Sequence, residues 1–199
     1  MGAFASLTEV PSDRLVGFPP SREDVRELRA IYSAPEVARW VSASGRPASR
    51  REIEQRVSRD RRHWHANGIG RWYWREKDTG DLVARCGPRL TVVCGDPEVE
   101  FHWAVRPDRQ GRGYASEAAD AAVKACLKIV SVNSVVAYAH VDNVASLGVM
   151  SRAWFLFERT FDLNDRPHVL HRRMSPQASH SLFSSHPVAV ADLRAEQPL

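Results

Sequence analysis

The sequence predicts a single mixed α/β domain, and three consecutive stretches carry that expectation. "VEFHWAV" (Val99 to Val105) alternates in the two-residue period of a strand, with Val99, Phe101, Trp103 and Val105 on one face and Glu100, His102 and Ala104 on the other. It runs through a glycine-containing turn into a segment whose Ala115, Ala118, Ala119, Ala122, Val123, Cys126 and Leu127 recur at helical spacing, giving a small-residue face suited to lie on a sheet. "SVVAYAHV" is then almost wholly apolar, as expected of a central strand covered on both sides. At 199 residues, with 43% hydrophobic and 26% charged side chains, the chain has the length and composition of one globular domain.

The other elements follow in order. "DRLVGF" (Asp13 to Phe18) is a short apolar strand ending at Pro19-Pro20, and Ser21 with Asp24 has the spacing of a capping box opening the helix "REDVRELRAIYS". A second short helix begins near Pro35. "SRREIEQRVSRDRRHWHANG" places Ile53, Val57 and Trp64 on one face of a third helix that stops at Asn67-Gly68. "RWYWREKDTGDLVARCGPRLTVV" reads as a hairpin turning at Asp78-Thr79-Gly80. After the apolar strand come a short helix, "NVASLGVMSRAW", and two strands, "FLFERTFDL" and "HVLHRRM", joined at Asn164-Asp165. The expected fold is a mixed sheet of about six or seven strands with about four helices, occupying residues 1–174. A loosely ordered tail rich in Ser, His and Pro follows over 175–199.

The formal charge is +4, and every cation except Lys77, Lys124 and Lys128 is arginine. Arginine binds phosphate and carboxylate bidentately, which favours anionic ligands, although a genomic codon bias gives the same excess. The arginine run from Arg50 to Arg62 reads as a nucleic-acid surface or as a solvated helix face; no stacking or groove-reading motif accompanies it, so nucleic acid is not an expected partner. Cys86, Cys94 and Cys126 form neither a CxxC pair nor a Cys/His cluster, so no metal is expected and a reduced, cytoplasmic compartment fits. No stretch has transmembrane length and no signal peptide is evident, so no membrane partner is expected; Met1-Gly2 with Ser6 matches a myristoylation pattern without a supporting signal.

The chemistry concentrates in "RPDRQGRGYASEAA", Arg106 to Ala119. The first N–H groups of a helix lack intrahelical partners and carry the positive end of its dipole, and Gly111 and Gly113 let backbone approach oxygen atoms closely. Arg109 and Arg112 add charge, so the stretch suits a phosphate-bearing ligand; a plain connecting turn is the alternative. A dinucleotide fingerprint would need a third glycine and a distant acid, and a P-loop would need Gly-Lys-Ser/Thr. Neither is present.

The stretch resembles motif A of the GNAT acetyltransferase superfamily, Gln/Arg-x-x-Gly-x-Gly/Ala, through Gln110-Gly111-Arg112-Gly113-Tyr114-Ala115. The likeness extends in order through "DRLVGF…REDVRELRAIYSAPEVARWV", "GRWYWREKDTGDLV", "VEFHWAVRPDRQGRGYASEAADAAVKACL" and "VVAYAHVDNVASLGVMSRAWF", over residues 13 to 174, and is strongest to the branch that includes the ribosomal-protein N-terminal acetyltransferases. It implies a sheet splayed at the cofactor, acetyl-CoA as co-substrate, and direct acetyl transfer to a primary amine, either a protein N-terminal α-amine or a small molecule. It also implies roles: amides of Gln110, Gly111, Arg112, Gly113, Tyr114 and Ala115 on the CoA pyrophosphate, backbone of Trp103, Ala104 and Val105 along the pantetheine arm, Asn143 on the same arm, and Ser146 at the thiol end. Asn143 equally suits an N-cap. Proteins of this kind commonly form dimers, so a homodimer is among the expected arrangements.

Transfer needs a neutral amine, a polarised thioester carbonyl and a proton for the departing thiolate. Deprotonating a lysine-like amine at neutral pH costs roughly 4 kcal/mol, an α-amine only about 1 kcal/mol. Glu100 and His102 are the candidates to relay that proton, with a salt-bridged strand residue as the alternative for Glu100. Many family members carry a Tyr acid where Met150 stands here, leaving Ser146 or solvent for that task. Trp154 replaces a glycine of positive φ, so the local backbone or the acceptor pocket is expected to differ. Ala84 stands where a strand glycine is usual, and Gly17-Phe18-Pro19 replaces a Leu-Arg ending. These departures sustain an alternative, a GNAT-fold protein that binds acyl-CoA or a partner with little turnover.

Overall fold

The computed structural model describes residues 8–129 and 132–176. Its strands are β1 (Val10–Pro11), β2 (Leu15–Phe18), β3 (Trp72–Glu76), β4 (Leu82–Val93), β5 (Asp96–Val105), β6 (Ser134–His140), β7 (Leu156–Leu163) and β8 (Arg166–Met174). The helices are α1 (Val25–Tyr32), α2 (Pro35–Val41), α3 (Arg50–Asn67), α4 (Tyr114–Ile129) and α5 (Val144–Arg152). The strands form one sheet in the order β1-β2-β3-β4-β5-β6-β8-β7. β5 and β6 run parallel, and the other neighbours are antiparallel.

The mixed α/β class is as expected, with eight strands and five helices among the described residues in place of about six or seven and about four. The extra strand, β1, is two residues long and contains Pro11, so it carries no periodicity to read. Helix α1 begins at Val25 and not after Ser21. Asp24, just before it, makes no side-chain bond to the helix; it accepts from the Ser21 N–H (2.6 Å), one half of the expected capping box, and from the Arg75 guanidinium (2.6 Å). By contrast, α3 opens on the full Ser49–Glu52 capping box and closes on Gly68 in the left-handed region.

Helices α4 and α5 cover one face of the sheet. Ala118, Ala119, Ala122, Val123 and Cys126 of α4 are fully buried, and their small side chains bring the helix close to Trp72, Trp74, Val83 and Phe101. The other face is covered over β3–β5 by α1 and α3, where Leu28, Ile31, Ile53 and Leu82 are fully buried. Burying each such side chain contributes about 1.5–3 kcal/mol. The departure at Gly17 has a packing reason: a methyl group there would stand 3.0 Å from Trp72 and Trp74, so the glycine makes room for two core tryptophans. Among the expected tail residues, the Ser175 N–H still bonds the Asn133 carbonyl at 2.7 Å; residues 177–199 of that tail, and the Met1-Gly2-Ser6 pattern, lie outside the described residues.

Candidate active site

The turn after β5 is a bare backbone concavity. Pro107–Arg109 form one 3₁₀ turn, and Gln110 ties it back by donating from Nε2 to the Val105 carbonyl at 3.2 Å. Gly111 (φ 73°) and Gly113 (φ 82°) are both left-handed. A methyl group built on Gly111 would meet nothing within 4 Å, and one on Gly113 would meet only the Arg14 guanidinium at 3.5 Å. Helix α4 starts at once, so the amides of Tyr114 and Ala115 open into the same space. The open space where side chains would stand at Gly111 and Gly113 suits the approach of phosphate oxygens.

The cations there differ from expectation. Arg109 pairs with Asp81 (3.2 Å) and Glu76 (3.5 Å), and Arg106 with Asp108 (2.7 Å), so their charge is largely matched within the loop. Arg112 has no ion pair among the described residues. Arg14, absent from the sequence reading, reaches over from the start of β2, pairs with Glu117 of α4 (2.7 Å) and lies 4.5 Å over the Tyr114 ring. Tyr114 is anchored beneath it by donating its hydroxyl to Glu76, and that bond holds the Tyr114 phenol above its ordinary range.

Below the turn the sheet opens. β4 and β5 pair continuously from Ala84↔Val105 to Val93↔Asp96, but β5 and β6 share only Glu100↔Val136. Past that point the strands diverge, and no register joins Trp103, Ala104 or Val105 to β6. On the α4–α5 side of this gap the Trp103 indole donates to the Ser146 hydroxyl (3.3 Å), and Asn143 caps α5 by accepting from the Ser146 N–H (3.2 Å). The cap engages only the Oδ1 of Asn143, so its amide nitrogen is a second, separate group. Met150 is fully buried on α5 and offers no proton.

On the opposite side of β5 lie Glu100 and His102. Glu100 is buried and accepts from Arg71 (3.2 Å) and Arg89 (2.9 Å), the ion-paired alternative for that residue. His102 is partly exposed, but its Nδ1 is enclosed and has no hydrogen-bond partner. Burial first, and then Arg71 and Arg85, push its imidazole well below the ordinary value, so it is held neutral. Nearby, Arg85 clamps Asp60 bidentately (2.6 Å on each oxygen), and Asp60 also accepts from the Tyr73 hydroxyl (3.0 Å). Across the gap, β6 and β8 present an aromatic wall. Tyr138 meets His168 edge-on at 6.0 Å, His168 meets His140 at 5.6 Å, and Trp40 of α2 stands 6.0 Å from His140.

The predicted residues therefore form three groups around one gap: the turn from Gln110 to Ala115 at its mouth, Asn143, Ser146 and Trp103 on one side, Glu100 and His102 on the other. A family model, the GNAT acetyltransferase domain, matches residues 14–155. The chain belongs to the GNAT acetyltransferase family. Solved structures agree in fold along nearly their whole length. A GNAT-family acetyltransferase from Bacillus anthracis aligns with a TM-score of 0.73 at 17% identity, covering 84% of this chain and 98% of the other. RimL, a ribosomal L7/L12 α-N-protein acetyltransferase in complex with coenzyme A, gives 0.70 at 15%, covering 83% and 97%. The ribosomal-protein-S5-alanine acetyltransferase from Vibrio fischeri gives 0.69 at 12%, covering 84% and 97%.

Against the family pattern, the turn after α5 keeps its shape. Trp154 sits at φ 61°, its N–H bonds the Ser151 carbonyl (3.1 Å) and the Phe155 N–H bonds Met150 (2.9 Å), the paired bonds of a Schellman ending. The expected change of backbone is absent; a 72% exposed Trp takes the glycine conformation instead. Among the described residues no group of three His, Cys, Asp or Glu is placed to hold a metal, and no helix is long and apolar enough to cross a membrane. Sequence reasoning missed Arg14, Arg71, Arg89 and Tyr138. The alternation of Arg85, Gly87 and Arg89 along β4 was the available signal that arginines share the face of His102.

Proposed function

We propose that the chain transfers the acetyl group of acetyl-CoA to a primary amine, with an α-amine as the acceptor that its groups suit best. The observation carrying this reading is the gap between β5 and β6, closed at Glu100↔Val136 and mouthed by a left-handed glycine turn with open space where side chains would stand. Such a gap accepts an extended chain against strand backbone, and such a mouth accepts its phosphates.

The amides from Gln110 to Ala115, with Arg112 and Arg14, would hold the pyrophosphate of CoA; the backbone of Trp103 to Val105 and the amide of Asn143 would hold its arm. When bound, acetyl-CoA supplies an acetyl group activated as a thioester. His102, whose imidazole is held neutral and whose Nδ1 no protein group engages, relays the proton of the acceptor amine through water. An α-amine costs only about 1 kcal/mol to deprotonate at neutral pH, so one imidazole suffices as relay. Glu100, tied to two guanidiniums, fixes the floor beside His102 and is assigned no proton transfer. Ser146, oriented by the Trp103 indole on the other side of β5, holds the hydroxyl that can return a proton in place of the tyrosine that Met150 replaces. The candidate base and acid thus lie on opposite faces of β5.

The experiment is to mix the protein with acetyl-CoA and an amine panel and follow free thiol release, alongside calorimetric titration with CoA. Thiol release that needs an amine supports the transfer. CoA binding without release on any amine favours the binding-protein alternative, and no CoA binding overturns both.

A further inference from the structure

The face of the sheet that carries His102 holds more positive charge than it neutralises. Arg56, Arg71, Arg85 and Arg89 converge there, and the carboxylates set against them are Asp60 and Glu100. Arg85 takes both oxygens of Asp60, while Arg71 and Arg89 share one oxygen of Glu100. Arg56 has no carboxylate; it stacks 4.2 Å over the Tyr32 ring. The Nε atoms of Arg56 and Arg71 are buried without a hydrogen-bond partner, as is Nδ1 of His102, and the Arg71 side chain is only 8% exposed. A buried guanidinium with an idle donor costs free energy unless a partner completes it. Desolvation, and then repulsion from Arg85, lower the Arg71 pKa to about 10, in keeping with charge left unmatched. Gly87 alone stands between Arg71 and His102 across β3–β5, and the gap between β5 and β6 begins beside Glu100.

We infer that the amine acceptor carries an anionic group, a carboxylate or a phosphate, which Arg71, Arg56 and the exposed end of Arg89 receive while the amine meets His102. This rests on the proposed acetyl transfer and names its substrate class. The anion supplies the missing negative charge and occupies the idle donors; a neutral acceptor does neither.

Two matched pairs of probes test it: O-phosphoethanolamine against ethanolamine, and the amidated tetrapeptides Ser-Asp-Glu-Ala against Ser-Asn-Gln-Ala. Each is assayed for thiol release and for calorimetric binding to CoA-loaded protein. In at least one pair the anionic member is expected to bind and to react about tenfold better, the effect of a charged hydrogen bond, and the responding pair tells a small-molecule acceptor from a peptide. Arg89→Gln, at a position 41% exposed, should reduce that preference several-fold while CoA affinity stays unchanged. Equal behaviour within both pairs overturns the inference, even where thiol is released. An anionic preference in binding without thiol release retains the anion site and overturns the acetyl transfer.

Discussion

On the α4–α5 side of β5 the working atoms are backbone amides, two left-handed glycines and a helix start; on the α1–α3 side they are long side chains, some in ion pairs and some with idle donors. On the proposed function the first side would recognise groups common to every CoA thioester, for which backbone geometry is enough. The second would recognise one acceptor, through guanidiniums, an imidazole and an aromatic wall whose identities are free to change while the fold stays. The difference predicts separable failures, because substitutions on the α1–α3 side should alter stability or turnover and leave CoA affinity alone.

The largest expected effect is on stability. Asp60→Ala leaves Arg85, which is 1% exposed, without its bidentate partner, and should cost about 3–5 kcal/mol; denaturant unfolding checks it. Burial opposes ionisation of Asp60, but the Arg85 guanidinium outweighs it and holds the carboxyl below its usual range, so this contribution is lost as pH falls through the lowered value.

Next comes His102→Asn, expected to lower kcat/KM about 100-fold or more with CoA affinity unchanged, as read by thiol release and calorimetry. In the wild type the depressed imidazole should leave no rising limb near pH 6.5; kcat/KM should instead climb with deprotonation of the acceptor amine. The same depression has a stability sign. Below about pH 6.5 the unfolded chain binds a proton that the folded His102 refuses, so stability should fall with pH there, and less so in His102→Asn.

The smallest effect is Trp154→Gly. A bulky residue in the left-handed region costs about 1 kcal/mol, and this one is exposed, so little packing is lost. Tm should rise by about 2–4 °C without change in kcat/KM.

The same contrast explains what the sequence disclosed. The strand, turn and α4 were legible because their information is local: a period of two, two glycines, a period of 3.6. Asn143 was legible as the N-cap of α5, and its proposed cofactor role and that of Ser146 come from the family resemblance alone. The arginine floor was not, since Arg56 comes from α3, Arg85 and Arg89 from β4 and Arg71 from the residue before β3, and they meet only when these elements are packed. Arg14 was missed for the same reason, lying 99 positions before the Gly113 it overlies. Conversely, the local reading fell short at two places: α1 begins at Val25, with Asp24 tied to Ser21 and Arg75, and Trp154 takes the left-handed conformation within the Schellman ending of α5.

The central claim is that bare backbone at Gly111–Gly113 holds the CoA pyrophosphate, and it is tested most directly by titrating CoA calorimetrically into the wild type and Gly113→Val in parallel, with far-UV circular dichroism on both. The account predicts saturable heat for the wild type and none for a Gly113→Val protein that keeps its secondary structure. Wild-type affinity in that variant would contradict it.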